Sequence, residues 1–167
     1  HLLMMCGSMG CGPMEEITEA LRGKMGANDV LSVACSKNET LLRKLTKLSA
    51  DCPNIRVLGQ IEDVPKLMQS ADVFLTKPGG LSTSEAVAAN LPMVLIDAVA
   101  GCEEHNLDYF LRANMAVTAD TPEEIADLAL AISHDERKLS AMREAMQTAS
   151  VRPAADAIYD WLQAHHA

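Results

Sequence analysis

Short apolar runs alternate with amphipathic stretches along most of this chain. Leu2 to Cys6 (LLMMC), Val30 to Cys35 (VLSVAC), Ile55 to Leu58 (IRVL), Val73 to Thr76 (VFLT) and Pro92 to Ile96 (PMVLI) are each four to six residues long, which suits strands covered on both faces. Ala116 to Thr118 reads as a last short strand. Between the runs, Ile17, Ala20, Leu21 and Met25 share one helical face, and so do Leu41, Leu42, Leu45 and Leu48. Val64, Leu67, Met68 and Ala71 mark a shorter helix. Another is predicted from about Glu103 to Asn114 with Leu107, Phe110 and Leu111 inward. The remainder reads as helix over Pro122 to Ser133, Asp135 to roughly Ala149 and Pro153 to about His165. Strands and helices that alternate through brief connections predict an α/β fold, a doubly wound parallel sheet with helices on both faces. No repeat, low-complexity tract or linker divides the chain, so residues 1–167 are expected to form a single domain.

In such a sheet, ligands bind outside the carboxyl ends of the strands, and the polar glycine loops here all fall at predicted strand exits. The richest is Thr76 to Glu85, TKPGGLSTSE. Pro78, Gly79 and Gly80 turn the chain, Ser82, Thr83 and Ser84 offer helix caps, and Glu85 is expected to open an Ala-rich helix. A glycine turn before a helix start is a place where bare N–H groups and the helix dipole meet an anion. A carboxylate one step inside can accept hydrogen bonds from sugar hydroxyls, although an acid at a helix start also needs no further reason.

The loop Gly7 to Gly12, GSMGCG, precedes Pro13, Glu15 and Glu16, a good helix start. Its GxxGxG spacing is neither the dinucleotide fingerprint nor a P-loop, so a phosphate cradle and a plain tight turn stand level. Gly59-Gln60-Ile61 offers a backbone edge that can read a base, or a simple turn. Lys77 can offset diphosphate charge, or be an ordinary exposed lysine. In AGCEEHN, Ala100 to Asn106, Glu103 and Asn106 are three apart and share a helix face, which aims both at one ligand. His105 reads more simply as a surface residue than as a catalyst.

Charge narrows the partners. Lys plus Arg is 14 against 23 for Asp plus Glu, a net charge of −9 that argues against nucleic acid and against lying flat on an anionic membrane. No apolar stretch reaches the roughly 18 to 20 residues of a membrane span, and no signal peptide is visible. The five cysteines are odd in number and form no CxxC, so neither a disulfide framework nor a zinc site is indicated; free thiols in a reducing cytosol fit best. With no His/Cys cluster and no Asp-x-Asp pair, no metal cofactor is expected. The chain enters a core strand directly after His1, which reads as a fragment whose preceding part is missing.

With these loops in hand, the sequence resembles the C-terminal, donor-binding domain of GT-B glycosyltransferases. It is most similar to the monogalactosyldiacylglycerol synthase and processive diacylglycerol glucosyltransferase group, and more distantly to the lipid-linked N-acetylglucosaminyltransferase of peptidoglycan synthesis. The carrying residues are GSMGCG, the turn at Gly59 to Ile61, TKPGGLSTSEA, Leu91-Pro92 and AGCEEHN, spread over about two thirds of the chain. The resemblance implies a Rossmann-like half of a GT-B fold and an inverting transfer of a hexosyl group from a UDP-sugar to a lipid, diacylglycerol being the expected acceptor.

The resemblance also implies roles. Gly7, Ser8, Met9 and Gly10 would lie near the donor pyrophosphate, with Lys77, Gly79, Gly80 and Leu81 beside it. Gln60 and Ile61 would meet the uracil, Ile61 through its backbone. Ser82 and Thr83 would approach phosphate, and Glu85 would hold the ribose hydroxyls. Cys102, Glu103 and Asn106 would face the donor sugar, and the helix bearing Tyr159 and Trp161 would cross back towards the other half. The family's usual Gln stands as Cys102 here, and a thiol is a weaker hydrogen-bonding group than an amide. The general base and acceptor site belong to the N-terminal half, so this fragment is expected to bind nucleotide without turning over. The full-length enzyme is expected in the cytoplasm, touching the membrane peripherally through that half. Two other readings stand beside this one: half of a UDP-sugar 2-epimerase of the same architecture, and a non-catalytic nucleotide-binding module.

Overall fold

A computed structural model describes residues 1–7, 12–98, 101, 103–149 and 154–165. In chain order the elements are β1 (Leu2–Met5), α1 (Met14–Arg22), β2 (Leu31–Ala34), α2 (Glu39–Leu48), β3 (Ile55–Leu58), α3 (Val64–Gln69) and β4 (Val73–Thr76). There follow α4 (Gly80–Ala88), β5 (Met93–Leu95), α5 (Glu104–Arg112), β6 (Ala116–Thr118), α6 (Pro122–Ser133), α7 (Glu136–Ala149) and α8 (Ala154–His165). The expected alternation is present. The first helix ends at Arg22 with Gly23 as its C-cap, short of the anticipated Met25.

The strands form one parallel sheet in the order β3-β2-β1-β4-β5-β6. The chain lays down three strands in one direction, then returns to the other side of β1. Leu2, Leu3 and Met4 pair with Leu31, Ser32 and Val33 on one side and with Val73, Phe74 and Leu75 on the other. This reversal opens a crevice where β1 and β4 end, the place where doubly wound sheets take their ligands. Thr76 seals the floor of that crevice: it is buried, and its hydroxyl donates to Met5 O at 2.8 Å.

Alternate strand residues feed two cores, one on each face. Leu2, Met4, Val33, Leu75 and Val94 meet Ile17 and Leu21 of α1, Leu45 of α2 and Ile125 and Ala129 of α6. Leu3, Phe74, Met93 and Leu95 meet Met68 of α3, Ala86 of α4 and Phe110 of α5. Each fully buried Leu, Ile, Phe or Met contributes roughly 1.5–3 kcal/mol of transfer free energy. α7 serves both faces, with Leu139 and Met142 in the first core and Met146 in the second. Ile158, Tyr159, Trp161 and Leu162 of α8 are all exposed, and the Trp161 ring stacks on His165 at 4.4 Å.

One expected boundary is corrected. The helix that Glu85 was expected to open starts five residues earlier, at Gly80. Gly79 takes extended backbone angles (φ −75°, ψ 140°) and forms the N-cap without a side chain. Thr83 and Ser84 do not cap. They lie inside the helix, donating to Gly79 O at 2.8 Å and Gly80 O at 2.6 Å. Ser82 is also inside the helix, and its side chain bonds no described residue. A hydroxyl in mid-helix has the carbonyl one turn back within reach, and that bond replaces capping.

Candidate functional site

The two turns at the crevice are held open by backbone rather than by side chains. Gly7 leaves β1 at φ +66° and Gly12 enters α1 at φ +111°, both in the region that glycine alone occupies without strain. At Gly12 a side chain would also place its Cβ 3.1 Å from Asp97 Oδ2. Ser8, Met9 and Gly10, expected near a diphosphate, lie outside the described residues, as does Cys102. Across the crevice, Thr83 N–H makes the first bond of α4, to Gly79 O at 3.2 Å. The N–H groups of Gly80, Leu81 and Ser82 precede it and point out of the helix end. Their partial positive charge meets no acid from the first turn of α4.

These pieces share a cleft of about 430 Å³ lined by Met5, Gly7, Ser36, Val64, Gly79, Gly80, Leu81, Ser82 and Glu85. The structure therefore brings together Gly7, the turn at Gly79 to Ser82 and Glu85, three parts singled out in the sequence. Glu85 is exposed and makes no hydrogen bond or ion pair with a described residue. Leu81 is 83% exposed at the cleft edge. Thr83 is fully buried, so its hydroxyl serves the helix and not the cleft. Gln60 and Ile61 leave β3 beside the cleft without lining it, and Val64, at the start of α3, takes that place.

A second set of contacts ties the β5 exit to the same turn. Lys77 Nζ sits 2.9 Å from Asp97 Oδ2 and is largely buried there. Burial alone would lower the Lys77 pKa, but the hydrogen bond and charge of Asp97, with Glu103 nearby, raise it, so the lysine stays cationic. In this structure its charge answers Asp97 rather than standing free for an anion. Asn106 Nδ2 donates to Pro78 O at 2.9 Å. Glu103, the N-cap residue of α5, places its carboxylate 3.6 Å from where a Cβ on Gly79 would lie. The shared face expected for Glu103 and Asn106 is thus turned to the β4–α4 turn.

Sequence reading missed Ser36, Val64 and Asp97. Their sequence signal is slight, because an ordinary serine, valine or aspartate after a strand calls for no comment. Strand order brings the first two to the cleft, and backbone geometry marks Ser36 and Asp97, at φ +52° and +48°. Among the described residues no group of three or more His, Cys, Asp or Glu is placed to hold a metal, and no helix is long and apolar enough to cross a membrane.

A parallel sheet with its crevice at the β1/β4 switch defines a Rossmann-like domain, the fold expected of one half of a GT-B enzyme. The chain belongs to the glycosyl transferases group 1 family, which matches residues 14–149. The processive diacylglycerol beta-glucosyltransferase of Bacillus cereus (strain ATCC 10987 / NRS 248) is 33% identical over 168 residues, covering 99% of this chain and 42% of the relative. The chain spans 39 to 42% of the length of such relatives. The fold is shared with Acinetobacter baumannii MurG, at a TM-score of 0.76 and 21% identity over 97% of this chain and 51% of that one. It is shared too with S. aureus MnaA, solved with UDP, at a TM-score of 0.70 and 20% identity over 86% of this chain and 40% of that one.

Proposed function

We propose that this chain is the donor-binding part of an inverting glycosyltransferase that moves a hexosyl group from a UDP-sugar to a lipid acceptor, diacylglycerol by analogy with its named relatives. The observation that carries the reading is the uncapped start of α4 facing Gly7 across a cleft with an unpaired carboxylate, Glu85, on its wall. The N–H groups of Gly80, Leu81 and Ser82 take the donor diphosphate, with the β1–α1 loop, including Ser8, Met9 and Gly10, on its other side. Glu85 accepts hydrogen bonds from the ribose hydroxyls, and the backbone at Gln60 and Ile61 reads the uracil. Glu103, Asn106 and the position of Cys102 face the donor sugar. Leu81 covers the bound nucleotide with its exposed side chain.

In the transfer, the acceptor hydroxyl oxygen attacks the anomeric carbon of the sugar. Its proton passes to a general base outside this chain, the bond from the anomeric carbon to the β-phosphate oxygen breaks, and UDP departs with inversion. This chain's part is to stabilise the charge that grows on the leaving diphosphate, through N–H groups and a helix dipole already aimed at it. Contact with the membrane is peripheral and belongs to the part that binds the acceptor.

Calorimetric titration of the chain with UDP tests the reading. Binding is expected in the micromolar to millimolar range, and Glu85→Ala should weaken it about 30-fold, since hydrogen bonds to a charged group contribute about 1.5–3 kcal/mol each. No heat at millimolar UDP from a folded chain would refute the assignment.

A further inference from the structure

Four non-glycine residues among those described hold a positive φ: Ser36, Asn90, Asp97 and Asn114. Asn90 and Asn114 follow the C-caps of α4 and α5, where asparagine commonly supplies the left-handed turn. Ser36 and Asp97 are different. Each leaves a strand, β2 and β5, at the ligand-binding edge of the sheet. Asp97 has a stated occupation, its ion pair with Lys77. The Ser36 side chain has none: the residue, at φ +52°, opens the turn that Asn38 N–H closes on Cys35 O at 3.0 Å, it is half-buried and lines the cleft, and its hydroxyl bonds no described residue. Serine gains little from the left-handed region, and such strain persists where surroundings impose it, commonly at ligand sites.

We infer that Ser36 contacts the bound donor through its hydroxyl, and that the part it touches is the nucleoside rather than the diphosphate. The inference rests on the donor-site reading above and adds a residue to it. Strand order supplies the position. β2 lies between β3 and β1, each about 4.8 Å away, so Ser36 stands between the base-reading edge at Gln60 and Ile61 and the turn at Gly7. Met5, Gly7, Ser36 and Val64 line the same cleft as Gly79 to Ser82 and Glu85. A nucleotide with its diphosphate at the α4 start, its ribose hydroxyls at Glu85 and its base at the β3 edge passes Ser36 with its nucleoside. A hydroxyl both donates and accepts, which suits a sugar hydroxyl or a base carbonyl equally.

Two variants separate the hydroxyl from the backbone. Ser36→Ala removes the oxygen and keeps the strained φ; Ser36→Gly removes both the oxygen and the strain. UDP binding is followed by calorimetry and uridine binding by ligand-observed NMR, with a thermal melt for each protein. Both variants are expected to lose about fivefold to tenfold in affinity, by the same factor for UDP and for uridine, as for one ordinary hydrogen bond. Ser36→Gly should melt no lower than the unsubstituted chain, so its loss cannot be ascribed to unfolding. Unchanged affinity in either variant, beside an unsubstituted chain that binds UDP, overturns this inference alone. A loss for UDP with none for uridine overturns the nucleoside assignment. An unsubstituted chain that binds neither ligand overturns it together with the donor-site reading.

Discussion

Two helices of this fold begin in opposite ways. At α6, Thr121 Oγ1 accepts from Glu124 N–H at 3.2 Å, Glu124 Oε2 accepts from Thr121 N–H at 3.1 Å, and Pro122 removes one further donor. At α4, Gly79 caps with backbone only, and no acid lies in the first turn. The far end of α6 is also tied, because His134 Nε2 lies 2.7 Å from Asp29 Oδ1. α6 spends its polar groups on the fold. α4 keeps its donors open at the crevice, where an anionic ligand can complete them.

Substitution at α4 should cost binding and spare stability. Gly79→Asp places a carboxylate on the open donors, and its Cβ is accommodated, meeting Glu103 Oε1 at 3.6 Å. One added charge about 5 Å from a diphosphate, at an effective dielectric near 20, costs about 3 kcal/mol. UDP affinity measured by calorimetry should fall roughly 100-fold, while the melting temperature moves by no more than about 2 °C, since Asp and Gly caps differ by a few tenths of a kcal/mol. Comparable loss of melting temperature and affinity would erase the distinction between the two helices.

The reverse pattern belongs to α6. Thr121→Ala should cost about 1 kcal/mol, a fall of roughly 2–4 °C in melting temperature for a chain of this size, with UDP affinity unchanged. The smallest effect lies at the helix's other end. Burial pushes the Asp29 carboxyl upward, but hydrogen bonds from His134 and Gly26 N–H and the His134 charge prevail and hold it below its ordinary value of 3.8. A depressed carboxylate stabilises the fold above its unfolded pKa, and that contribution is lost as pH falls below 3.8 through the lower folded value. Asp29→Asn should flatten melting temperature against pH in this acid range, with a change under about 1.5 kcal/mol at pH 6. An acid limb as steep as before would remove Asp29 from the account.

The same contrast explains what the sequence disclosed. Apolar runs of four to six residues located the strands, because a strand buried on both faces has no polar face to confuse the pattern. The start of α6 at Pro122 was placed correctly, and its cap is made of side chains. The start of α4 was misplaced by five residues because its cap is bare backbone, while Ser82 to Ser84 look like caps and sit inside the helix. Of the candidate site, Gly7, Gly79 to Ser82 and Glu85 were visible as turn and cap chemistry. Ser36 and Asp97 were not, since a left-handed φ on a serine or aspartate arises from tertiary surroundings. Nor does alternation reveal that β4 returns beside β1, the pairing that creates the cleft.

α7 adds a consequence for the way the molecule melts. Separate apolar layers on the two faces of a sheet invite the expectation that one is lost before the other. Leu139 and Met142 anchor α7 in one layer and Met146 anchors it in the other, so neither can open far without disturbing the same helix. Amide hydrogens of α7 should therefore exchange with the protection of the global transition, and the two layers should come apart as one cooperative unit.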